Sequence, residues 1–127
     1  MRINTDNIIN SNTKQKVNVF ISQPMQNKTD GEIKAARNEA ISLVNSIFDN
    51  ATILDSYFPD YPYSEYNNVN KSLWYLSKSL EVLAQADYAV FLPGYENARG
   101  CSLEKECCDK YGINTICIKG VIYGEFV

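Results

Sequence analysis

The segment Ala86-Asp-Tyr-Ala-Val-Phe-Leu92 constrains this chain more than any other. It is almost continuously apolar toward its end, so a strand there must be covered on both faces, as a central parallel strand is. Pro93 and Gly94 follow as a turn, and a helix from about Arg99 to Tyr111 is stopped by Gly112. A buried strand that feeds straight into a helix is the unit of an alternating α/β domain.

The remaining segments repeat that alternation. Val17-Asn-Val-Phe-Ile21 has the β-branched and aromatic content of a strand and ends at Ser22-Gln-Pro-Met25. Thr29-Asp-Gly-Glu32 has capping-box spacing and opens a helix along which Ile33, Ala36, Ala40, Leu43, Val44 and Ile47 recur. Ala51 to Leu54 is a short second strand. From about Asn70 to Gln85, Leu73, Leu76, Leu80 and Leu83 mark one buried face of a second major helix. Thr115 to Ile118 is a fourth strand, and Val121 to Val127 is read as a fifth or an edge strand.

The expected architecture is a central parallel sheet of four to five strands with helices on both faces. One domain spans 17–127, preceded by a flexible or edge-lying extension over 1–16. In such sheets ligands sit outside the carboxyl ends of the strands, at a topological switch point. Three segments converge there: Ser22 to Met25, the proline- and tyrosine-rich loop from Ser56 to Tyr66, and Pro93 to Gly100.

Composition narrows the chemistry. The chain has no histidine, which removes imidazole acid–base catalysis, histidine-activated nucleophiles and imidazole metal ligation. Cys101, Cys107, Cys108 and Cys117 show no paired C-x-x-C spacing and are read as small buried hydrophobes, with no metal expected. Cys101 is set apart, because a helix N-terminus favours a thiolate. The net charge of −3 without a basic run argues against a nucleic-acid polymer as partner. No apolar run approaches the ~20 residues that span a bilayer. The first 15 residues lack a signal peptide's apolar core, so a cytoplasmic address is expected.

Gly94 and Gly100 bracket a loop that enters a helix whose free N–H groups suit an anion, and Arg99 adds a positive charge at the same end. A phosphate or carboxylate fits there, although a turn glycine and a solvated cap explain the same residues. Glu104 lies one turn into that helix, four residues after Gly100. The two share a face, with the glycine leaving space above the carboxylate. The helix N-terminus is expected to keep Glu104 ionised, as a carboxylate nucleophile requires. An ordinary first-turn acid is the plain alternative. Asp87 starts its strand at the far edge of the sheet and suits a turn or cap; Asp55, Asp60 and Glu65 are better placed. Tyr57, Phe58, Tyr61, Tyr63 and Tyr66 suit stacking on a base or contact with a partner chain. Ser72 and Ser79, seven apart, either face the pocket or line a small-residue packing stripe.

Three pieces together resemble one family. Val19-Phe-Ile-Ser-Gln-Pro-Met25, Leu83 to Gly94, and Asn97-Ala-Arg-Gly-Cys-Ser-Leu-Glu104 look like the nucleoside 2-deoxyribosyltransferase-like superfamily, in its small, often phage- or prophage-borne branch. The likeness spans about residues 17 to 118. It implies a flavodoxin-like, Rossmann-like three-layer sandwich, a homo-oligomer whose neighbouring subunit completes the pocket, and no cofactor. It also implies transferase or hydrolase chemistry on the N-glycosidic bond of a nucleoside or nucleotide-like ligand. Glu104 then corresponds to the glutamate that attacks the anomeric carbon, as in a retaining glycosidase.

By the same resemblance Phe20 stands beside the nucleophile, Ser22, Gln23, Pro24 and Met25 form the pocket floor, and the tyrosine-rich loop forms a lid. Gly94, Asn97, Ala98, Arg99 and Gly100 would hold a phosphate. Three positions depart from the enzymes. Phe20 replaces a frequent tyrosine, which removes a hydroxyl that orients the glutamate. Ser79 aligns with a catalytic aspartate. Ala98 stands where transferases carry aspartate and monophosphate hydrolases serine. A rival reading is therefore a catalytically degenerate nucleotide-binding or sequestering protein. A third is a flavin-binding electron carrier, against which a colourless purified protein would count.

Overall fold

The computed structural model describes residues 15–56, 70–119, 121–122 and 125–126. Strands β1 (Val17–Ser22), β2 (Ala51–Ile53), β3 (Tyr88–Phe91) and β4 (Asn114–Cys117) form one sheet in the order β2-β1-β3-β4, every pairing parallel. Helices α1 (Asp30–Ile47), α2 (Lys71–Leu83) and α3 (Arg99–Tyr111) join them. This is the α/β order expected of a flavodoxin-like sandwich, with the switch point between β1 and β3.

The period of two along each strand divides the core into two layers. Val19, Ile21, Val90 and Leu92 point to one face, where Ala40 and Val44 of α1 cover them. Phe20, Ala89 and Phe91 point to the other, against Leu83 of α2 and Cys108 of α3. Each large side chain so buried contributes about 1.5–3 kcal/mol. Ser22, at the end of β1, has the parity of Phe20 and so faces the α2–α3 layer.

Local signals fix the helix ends. Thr29 and Glu32 form the full capping box: Thr29 N–H donates to Glu32 Oε1 at 2.8 Å, and Glu32 N–H to Thr29 Oγ1 at 3.1 Å. The backbone N–H of Thr29 and its hydroxyl hold the Glu32 carboxyl below its ordinary range. Asn70 caps α2 by accepting from Leu73 N–H at 3.0 Å. Gly112 ends α3 in the left-handed region at φ 76°, where a glycine is needed.

Three expectations change. Among the described residues the tail adds no strand to the central sheet, which has four: β5 (Val121–Ile122) and β6 (Glu125–Phe126) pair antiparallel with each other. Leu73 is 61 % exposed rather than buried, because the first turn of α2 overhangs a cavity while Leu80 and Leu83 reach the sheet. Leu43 and Ile47 of α1 are likewise exposed, on a helix whose core contact is carried by Ala40 and Val44. The extension over 1–14 and the aromatic loop with Tyr57, Phe58, Asp60, Tyr61, Tyr63, Glu65 and Tyr66 lie outside the described residues.

Candidate active site

A cavity of about 650 Å³ opens at the carboxyl ends of β1 and β3. Phe20, Ser22, Gln23, Pro24 and Met25 line it from the β1 side. Ser79 lines it from α2, and Asn97, Ala98, Arg99, Gly100 and Glu104 from the start of α3. Gly94 stands outside this lining. Its φ of 89° turns the chain out of β3, and a Cβ there would lie 3.8 Å from Pro24 Cγ, so the two loops are in contact. A Cβ added at Gly100 would meet nothing within 4 Å, so the space beside it is open, and the Glu104 side chain is not among its near neighbours.

Glu104 is 7 % exposed. Ser22 Oγ donates to Glu104 Oε1 at 2.6 Å, and Ser79 lines the same cavity from α2. The hydroxyl that holds Glu104 is thus that of Ser22, while Phe20 packs in the core. Burial pushes the Glu104 pKa above the ordinary 4.5, with Ser22 and then Ser79 opposing the rise. Burial thus works against the ionised form that the helix N-terminus is expected to favour. The expectation for Cys101 is corrected: burial pushes its thiol up to about 11, away from a reactive thiolate.

The start of α3 differs from the other two described helices. Thr29 and Asn70 cap α1 and α2 with their side chains, whereas Ala98 at the N-cap of α3 offers no side-chain acceptor. The first N–H groups of α3 therefore face the cavity edge without an intramolecular side-chain acceptor, next to the exposed Arg99. That is a place for an anion.

Sequence reasoning left Tyr75 unnamed and assigned Leu76 to the buried face of the helix. Both share the cavity with Ser72 and Ser79, at spacings of three, four and seven that place all four on one face of α2. The same spacing could have found them. Met25, Leu73 and Leu103 add an exposed apolar rim. Asp87 is at the opposite edge, where its Oδ2 accepts Asn18 N–H at 2.8 Å, a structural role that ties β3 to β1 and not the turn or cap expected of it. Asp55 is exposed and off the cavity lining. Among the described residues Glu104 is the only carboxylic acid on that lining, no His/Cys/Asp/Glu group could hold a metal ion, and no helix is long and apolar enough to cross a membrane.

The chain matches no protein-family model, no curated protein and no solved structure.

Proposed function

We propose that this protein cleaves or transfers the N-glycosidic bond of a nucleoside or nucleotide-like ligand, with Glu104 as the nucleophile. One observation carries the reading. A single buried carboxylate, held at 2.6 Å by Ser22, lines a cavity of about 650 Å³ at the carboxyl ends of the β1–β3 pair. The ionised carboxylate attacks the anomeric carbon as the bond to the base breaks, and the base departs with the electron pair. A glycosyl ester on Glu104 is then resolved by water or by a second base. Ser22 aims the carboxylate, and the uncapped start of α3 with Arg99 receives a phosphate.

A second reading, binding without cleavage, has its own support: among the described residues no other carboxylic acid lines the cavity to protonate the departing base. A homo-oligomer whose neighbouring subunit supplies that acid reconciles the two, and a cytoplasmic address belongs to the same proposal. The deciding experiment incubates the protein with nucleosides, 5′-monophosphates and NAD-like dinucleotides and assays free base. Base release that disappears in Glu104→Ala supports catalysis; undiminished release overturns the assignment. Thermal stabilisation by a ligand recovered intact selects the binding reading.

A further inference from the structure

Gln23 is 8 % exposed, and its two amide ends are used unequally. Its Nε2 donates to the carbonyl of Ile33 in α1. A carbonyl only accepts, so this bond fixes which end of the amide is nitrogen and leaves Oε1 as an acceptor. That Oε1 is buried and has no hydrogen-bond partner, the one such side-chain atom among the described residues. Buried acceptors without a donor are costly and few in folded proteins. The next residue is Pro24, which carries no backbone N–H to offer. Gln23 lines the cavity beside Ser22, whose hydroxyl is engaged by Glu104.

The geometry points to Gln23 Oε1 as a specificity-setting acceptor that a hydrogen-bond donor on the ligand must satisfy. The donor is an amino or lactam N–H of the base or a hydroxyl of the sugar; an ether, carbonyl or phosphate oxygen cannot serve. This inference rests on the proposed nucleoside or nucleotide site. A site built around a buried acceptor rejects a ligand that lacks the donor, because binding then leaves the acceptor unpaired.

The test is calorimetric binding to the full chain carrying Glu104→Gln, which holds ligands uncleaved. In the base arm, adenosine and guanosine monophosphates are compared with their desamino counterparts. In the sugar arm, ribonucleotides are compared with 2′-deoxy and 3′-deoxy forms. Loss of the recognised donor is expected to weaken binding on the order of 10- to 100-fold. In the added Gln23→Met variant, checked by thermal melting, the same loss changes binding by less than about threefold. Equal discrimination with and without Gln23 overturns the assignment, as does the absence of any donor dependence while Gln23 is present. The second result stands even if Gln23→Met fails to fold. Monophosphates that bind without donor discrimination sink the role of Gln23 alone; a panel that does not bind at all sinks the nucleotide reading together with it.

Discussion

The two ends of the β1–β3 pair solve opposite problems. At the amino end the polar groups satisfy one another. Asn18 N–H donates to Asp87 Oδ2 at 2.8 Å, Asp87 N–H to the Asn18 carbonyl at 2.8 Å, and Asn18 Nδ2 to the Gln85 carbonyl at 3.3 Å. At the carboxyl end demands are left open: an uncapped helix start, a buried carboxylate and an orphaned amide oxygen surround a cavity. One carboxylate tightens the sheet, and the other is held out of water at a cost. The chain keeps its unmet polar groups where a ligand can meet them.

The largest effect expected from breaking this contrast is on turnover. Glu104→Gln keeps the shape and an acceptor for Ser22 but removes the nucleophile, and base release should fall by about 10³-fold or more. The same variant sharpens the contrast through pH. A carboxyl whose folded pKa is raised binds its proton more tightly when folded, so its own contribution to stability is full below the ordinary 4.5 and is lost as pH rises through the folded value. Melting curves of the wild type and Glu104→Gln should therefore diverge in favour of the variant between pH 4 and pH 8. A constant difference would mean that Glu104 is not destabilised by burial.

Ala98→Asp makes the carboxyl end resemble the amino end by giving α3 its own cap. The helix should gain about 1 kcal/mol in denaturant unfolding. Binding of a 5′-monophosphate should weaken roughly tenfold relative to the free nucleoside, since the aspartate competes for the same N–H groups and repels the anion. Unchanged phosphate binding would remove the helix start from the site. Asp87→Ala is expected to cost about 1–2 kcal/mol of stability by releasing the Asn18 N–H, with kcat/KM unaltered. A loss of activity at constant stability would contradict the division between the two ends.

How much of this was legible in the sequence follows from how local each signal is. The capping box at Thr29 and the Gly112 stop are carried by neighbouring residues, and the structure has them at the expected positions. The apolar run in β3 forced a central strand, and the convergence of Ser22 to Met25 with Pro93 to Gly100 followed from the strand order. Burial is a different matter. The spacing of Leu73 is the same whether its turn of helix covers a sheet or overhangs a cavity. The direction of the Glu104 shift depends on how much water the fold excludes, and sequence position revealed only the helix start. The orphaned oxygen of Gln23 needed the Ile33 carbonyl from another element to be seen.

The Ser22–Glu104 hydrogen bond joins residues 82 positions apart. In kinetic terms it is among the most expensive contacts to form, because its loop must close before the contact returns anything. β1 also lacks its β3 neighbour until residues 88–91 are available for pairing. The Ser22–Glu104 pair is therefore assembled with the central parallel pair of strands and has no local precursor. On a ribosome, the carboxylate meets its serine only after the chain has grown through α3. Binding competence is then a report of complete folding, and a ligand that bridges β1 and α3 would slow unfolding most.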